Sequence, residues 1–196
     1  MFAVMRKMIL FISVLLVHFS TAQLLINEYS AANYDSYQDN YGEYEDWIEI
    51  YSSSAAPIDL NGYFLTDKIS NPTKWQISSS FMIPANGVAI IFCSGRDEVT
   101  GGNAHTNFKI TQTKGNEVVM LLDPTQILID SITVLPNLKT DSRGRETDGS
   151  ATWAVFPNPT PNSSNSNAFL EYATTPVFSM PSGYYTGSVQ VAITSP

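Results

Sequence analysis

Ten short runs of strand-forming residues, punctuated by turn signals, constrain what this 196-residue chain can fold into more than any other feature. The runs are Leu24–Ala31, Trp47–Tyr51, Tyr63–Thr66, Lys74–Ile77, Phe81–Ile83, Val88–Cys93, Asn107–Ile110, Glu117–Leu122, Ile127–Val134 and Trp153–Phe156. Asn61-Gly62, Asn71-Pro72, Asn86-Gly87, Gly101-Gly102-Asn103, Lys114-Gly115-Asn116 and Asp123-Pro124 break the chain between them. Strands this short, with turns this frequent, predict an all-β fold, an antiparallel sandwich or barrel rather than a parallel βαβ sheet.

Trp47-Ile48-Glu49-Ile50-Tyr51 alternates apolar and polar residues at period two and reads as a half-buried strand. Val88–Cys93 is continuously apolar, as expected of a strand inside a sandwich. The expected core is Trp47, Ile48, Ile50, Leu65, Val88, Ile90, Phe92, Val119, Leu121, Ile129 and Trp153. Cys93 is the single cysteine, so no intramolecular disulfide forms, and it reads as a small buried hydrophobe rather than a reactive thiol. Stability must come from the core. A domain of roughly 140 residues buries about 68–70% of the surface its unfolded chain exposes, which suffices. Tyr34, Tyr37, Tyr41 and Tyr44 mimic one face of a helix, but Gly42 interrupts them and no aliphatic residue joins. A long loop with up to one helical turn is the better reading.

Arg6 and Lys7 precede an apolar run, Met8 to Val17, broken by Ser13; Ser20-Thr21-Ala22 then supplies small residues at the spacing a signal peptidase reads. The run falls short of the ~20 apolar residues a membrane helix needs. Residues 1–22 are therefore expected to be a signal peptide, cleaved after Ala22, with an uncut membrane anchor as the alternative. The mature chain would be secreted or held at the cell envelope, and not integral to the membrane.

The formal net charge is −8; without Arg6 and Lys7, 8 basic residues face 18 acidic ones, a charge of −10. Such a chain repels phosphate backbones, so nucleic acid is not an expected partner. Pro157–Asn167 turns rich in proline, asparagine and serine, the end of a domain spanning 23–167. A linker over 168–176 is expected, then two strands of a second, incomplete β-sandwich module over 177–196. Roughly 20 residues cannot bury a core, so the chain is expected to continue into a longer protein.

Several motifs fall in the order that one family of β-domains shows. Leu25-Ile26-Asn27-Glu28-Tyr29 matches its opening strand, with Asn33 at the asparagine that often follows. Asp46-Trp47-Ile48-Glu49-Ile50-Tyr51 matches the second, although Ser52 stands where asparagine is usual, and Leu60, Gly62, Phe64, Leu65 and Asp67 match the third. Ile83-Pro84-Ala85-Asn86-Gly87 resembles its I-P-A-G-G turn, with Asn86 replacing the first glycine. Ser142-Arg143-Gly144-Arg145, Asp148-Gly149-Ser150, Trp153 and Thr160-Pro161-Asn162-Ser163-Ser164-Asn165 resemble the closing series. Together these motifs resemble the lamin tail domain family, and the resemblance implies an immunoglobulin-like sandwich that tethers or binds and does not catalyse. The last 20 or so residues resemble, more weakly, the start of the β-module at the C-terminus of chitobiase and hexosaminidase. In secreted bacterial proteins that order often precedes a spore-coat-H-type kinase-like or other catalytic domain, so an accessory module of a secreted enzyme is the alternative function.

Chemistry has few candidates. His105 is the only histidine beyond the leader; it sits in the polar stretch Gly101–Asn107 with no nucleophile elbow nearby and reads as an exposed loop residue. One histidine and one buried cysteine cannot make a zinc site, and no phosphate-cradling glycine motif occurs. No catalytic residue and no cofactor are expected. Between Glu28 and Glu49 lie Asp35, Asp39, Glu43, Glu45 and Asp46 without a lysine or arginine, so Asp35, Asp39 and Glu43 are a candidate Ca²⁺ site, although their spacing fails the EF-hand pattern. The same loop's tyrosines, Tyr37 and Tyr41 above all, could stack on sugar rings or pack over one end of the sandwich. The expected partner is a protein or polysaccharide at the cell surface. Asn162-Ser163-Ser164 fits a glycosylation sequon, relevant in a eukaryotic secretory pathway.

Overall fold

The computed structural model describes residues 23–195; the expected signal helix within 1–22 lies outside the described residues, as does Pro196. Among them, the strands of the main body are β1 (Leu24–Ser30), β2 (Trp47–Ser52), β3 (Ile58–Asp59), β4 (Phe64–Thr66), β5 (Trp75–Gln76), β6 (Met82–Ile83), β7 (Val88–Phe92), β8 (Glu98–Thr100), β9 (Asn103–His105), β10 (Val118–Leu122), β11 (Leu128–Thr133), β12 (Ser142–Arg145) and β13 (Trp153–Phe156). One sheet has seven strands in the order β13-β12-β1-β2-β7-β9-β8, and the second has four, β11-β10-β4-β5. β3 and β6 pair separately. No helix occurs among the described residues, and none there is long and apolar enough to cross a membrane.

Pairing is antiparallel except between β7 and β9, which run parallel with Ile91 opposite Ala104 and Phe92 opposite His105. The chain leaves β7, makes β8 at the sheet edge and returns as β9 between them, so β9 must share the direction of β7. That insertion corrects the expected fully antiparallel pattern. It also draws Asn103–His105 out of the expected polar turn and into a strand. Asn107–Ile110, expected as a strand, is irregular; Phe108 and Ile110 are buried all the same, so the apolar alternation there records burial and not pairing.

The core lies between the two sheets. Ile26, Tyr29, Ile48, Ile50 and Ile91 from the larger sheet join Leu65, Val119, Leu121 and Ile132 from the smaller, with Cys93 buried among them. Ile129 and Trp153 pack against this cluster half-buried, and Val88 is likewise only half-buried. A second cluster, Trp47, Ile90 and Phe92 with Tyr37, lies apart from the main core. Because residues alternate across a strand, these side chains occupy the outer face of the seven-stranded sheet. β2 is thus covered on both faces, not the one face its alternation suggests: even Glu49 is fully buried.

Part of the stretch expected as a linker lies against the sandwich. Phe169 exchanges backbone hydrogen bonds with Val155, and Glu171 receives both terminal guanidinium nitrogens of Arg143 at 2.8 and 3.0 Å. Beyond it, β14 (Val177–Phe178) pairs with β15 (Ile193–Thr194), leaving Val177, Phe178 and Ile193 exposed.

Candidate binding site

The outer face of the large sheet is built from its family-pattern residues upward. A bulge in β1 between Ile26 and Glu28 puts two consecutive polar residues, Asn27 and Glu28, in the interior, both 0% exposed. The Asn27 amide nitrogen reaches Glu49 at 3.0 Å, Asp148 at 3.0 Å and Asn165 at 3.1 Å, while its oxygen accepts the Gly149 N–H at 3.1 Å. Glu28 accepts the Ser142 hydroxyl, the Thr160 N–H at 3.0 Å and the Thr160 hydroxyl at 2.6 Å. Glu49 accepts the Asn162 N–H at 2.9 Å, and Asp148 accepts the Asn165 N–H at 2.9 Å. Residues scattered from 27 to 165 therefore meet in one buried polar cluster that holds the Thr160–Asn165 segment as a strap across the sheet. Burial pushes both glutamates up, Glu49 to about 8 and Glu28 in the same direction despite its three donors.

The second cover is the Asn33–Asp46 loop. Asn33 staples it, donating from Nδ2 to the carbonyls of Tyr37 and Glu45 at 2.6 and 2.8 Å and accepting the Tyr37 N–H at 3.1 Å. Asp39 closes a tight turn by accepting the N–H groups of Tyr41 and Glu43 through one oxygen, at 2.8 and 2.9 Å. Gly42 holds φ +78° there, a conformation that favours glycine. Tyr37 stacks on Phe92 with ring centres 5.9 Å apart and meets the edge of Trp47 at 6.4 Å. Its hydroxyl accepts the Asn162 amide, tying loop to strap.

His105 is not the exposed loop residue its surroundings suggested. It is fully buried, stacked on Phe92 at 5.2 Å with Tyr41 edge-on at 5.5 Å. Its Nδ1 meets the Ser94 hydroxyl at 3.0 Å and its Nε2 meets the Asn40 amide oxygen at 2.8 Å. These partners fit a neutral ring donating from Nε2, and burial lowers its pKa from the usual histidine value. Ser94 and His105 touch, but Ser94 is itself buried, no carboxylate orients the ring, and both nitrogens are engaged. That arrangement positions the loop; it is not the nucleophile–base geometry of acyl transfer.

The acidic residues read as a cation site are dispersed. Asp35 is exposed, Asp39 is folded onto its own turn, and Glu43 pairs with Arg96. Lys109 meets Glu45 at 2.8 Å. The cations come from residues 96 and 109, outside the segment whose charges looked uncompensated. Among the described residues, no three His, Cys, Asp or Glu side chains are grouped to hold a metal ion. The tyrosines read as sugar platforms are also committed: Tyr37 as above, and Tyr41 with Arg96 over its ring at 4.4 Å. Asn162, the sequon asparagine, has its amide nitrogen on Tyr37.

Between loop, strap, β7 and the β8–β9 turn, the outer face leaves a cleft of about 430 Å³. Ile90, Phe92 and Tyr37 supply its apolar side, and Gln38, Asp39, Asn40, Asn103 and Asn162 its polar one. No local pattern announces this cleft, because its walls come from widely separated segments, with Phe81, Met82 and Pro84 adding a fifth to those four. The buried cluster did leave a trace: Glu49 lies between two isoleucines and Asn27-Glu28 interrupts an apolar strand.

Fold and site together define an immunoglobulin-like β-sandwich, its outer face sealed by a loop and a strap and carrying an open polar cleft. The family model for the Lamin Tail Domain matches residues 18–135, more than half of the chain, and the chain belongs to that family. Its members are non-catalytic modules, in keeping with an interior whose polar groups hold the fold together. The match ends at residue 135, yet β12, β13 and the strap complete the same sandwich beyond it. No curated protein matches the chain.

Proposed function

We propose that this lamin tail domain is a non-catalytic binding and tethering module of an exported protein, holding other parts of that protein against a protein or polysaccharide at the cell surface. Export rests on the leader pattern of Arg6, Lys7, the Met8–Val17 run and Ser20-Thr21-Ala22. An acidic chain suits the outside of the cell and has no attraction for nucleic acid. The observation that carries the binding role is the outer-face cleft: it is ringed by amides and lacks a nucleophile–base pair, so it is suited to recognition and not to turnover.

The test is to express the full chain with a reporter at its C-terminus and follow both parts of the role. The reporter is expected outside the cytoplasm, on a mature protein whose N-terminus is Gln23, and retained at the cell surface. Reporter left in the cytoplasm would sink the export reading. Reporter exported but freely released would sink the tethering one.

A further inference from the structure

We infer that the outer-face cleft binds a neutral, polyhydroxylated ligand: one or two sugar units of a glycan chain. The inference deepens the binding role proposed above and rests on it. At about 430 Å³ the cleft has the size of a small-molecule site. Asp39 is only 7% exposed, and while one of its oxygens caps the turn, the other is buried with no hydrogen-bond partner. A buried acceptor without a donor is unusual in a folded protein and marks where a ligand O–H or N–H would be welcome.

The other polar side chains lining the cleft are the amides of Gln38, Asn40, Asn103 and Asn162. Each amide carries both a donor and an acceptor, as do neighbouring sugar hydroxyls, whereas a phosphate or carboxylate ligand needs donors alone. No lysine or arginine lines the cleft, and Arg96 is held by Glu43 and Tyr41. Anionic ligands are disfavoured further by the lone Asp39 charge. A peptide would need an apolar pocket for an anchoring side chain, but Phe92 and Ile90 are 5% and 6% exposed and already packed on Trp47. Met82, 49% exposed at the margin, offers an apolar surface for the C–H face of a sugar ring. The recognition chemistry thus shifts from the tyrosines, whose rings are occupied, to Asp39 and the amides.

The experiment titrates the purified chain, in chelator, with neutral oligosaccharides from β-glucan, mannan, xylan and chitin, with uronic-acid oligomers, and with an extended-peptide library. At least one neutral oligosaccharide is expected to bind, and the uronic acids to bind at least about tenfold more weakly. Asp39→Asn keeps an acceptor for the turn but presents N–H groups to the ligand, so binding falls at least about tenfold while the melting temperature holds. Gln38→Ala and Asn103→Ala each weaken binding about three- to tenfold. No binding to any neutral oligosaccharide overturns the inference, as does binding that ignores all three substitutions. Peptide binding lost on the same substitutions, without glycan binding, assigns the cleft to a protein instead. Surface retention of the reporter is measured separately, so failure here and failure of tethering are distinguishable.

Discussion

At the residue scale the buried carboxylates dominate. Glu49 has an ordinary value near 4.5 when unfolded and about 8 when folded, because burial penalises its charge more than Asn27 and Asn162 relieve it. A carboxyl whose pKa rises on folding takes up a proton between those values, so its contribution is full below about 4.5 and is lost as pH climbs through 8. Glu28 is shifted the same way, and Asp46, pushed up to about 6 by burial, adds to the trend. The urea midpoint is therefore expected to fall between pH 5.5 and 8.5, with Glu49 contributing on the order of 2–4 kcal/mol. Glu49→Gln should remove most of that slope; a flat wild-type profile, or an unchanged slope in the variant, contradicts the account. Gly144 makes a second test. A β-carbon there would lie 2.9 Å from the Asn27 carbonyl oxygen and 3.0 Å from the Phe156 ring. Gly144→Ala is expected to destabilise by about 1–3 kcal/mol, while Gly115→Ala, with nothing within 4 Å, leaves the melting temperature unchanged.

At the scale of elements, the joint between the sheets rests on β11. The bulge in β1 frees the Ile26 N–H, which donates to Asp130 at 2.9 Å. The same Asp130 oxygen receives Arg145 of β12 at 2.9 Å, and Arg145 also donates to the Ile26 carbonyl at 2.9 Å. An edge strand of the small sheet is thereby clamped to two strands of the large one. Asp130→Ala leaves a mostly buried guanidinium and a backbone donor without their partner, an expected loss of about 2–4 kcal/mol. Hydrogen exchange should show the Ile26 amide losing protection first; uniform loss across both sheets would mean that the clamp is not local.

At the scale of the molecule, the domain cannot close without residues far beyond the family match. β12 flanks β1, and the strap supplies the donors for Glu28 and Glu49. A fragment of residues 23–135 would expose the edge of β1 and leave both buried carboxylates short of partners. Its predicted state is unfolded or aggregated. Residues 23–172 retain the strap and the Arg143–Glu171 pair and are predicted to unfold in one cooperative transition. Circular dichroism and urea titration of the two fragments decide the point: a cooperative 23–135 would show the strap to be dispensable.

The chain's own order of residues determined the class of fold, because period-two alternation and turn chemistry are local and mark which face of a strand is apolar. It determined most strands and part of the inter-sheet core as well, although Trp47, Ile90 and Phe92 pack on the outer face instead. Local pattern says which face is buried but not what covers the other one, so the parallel β7–β9 pairing and the burial of His105 emerged only in three dimensions. The same holds for Glu28 and Glu49, whose strap partners Thr160 and Asn162 lie more than 110 residues away. It holds again for the acidic loop, where Glu43 and Glu45 are paired with Arg96 and Lys109 from other segments. Tertiary structure alone turned a string of polar motif residues into a buried lock, and left a cleft beside it.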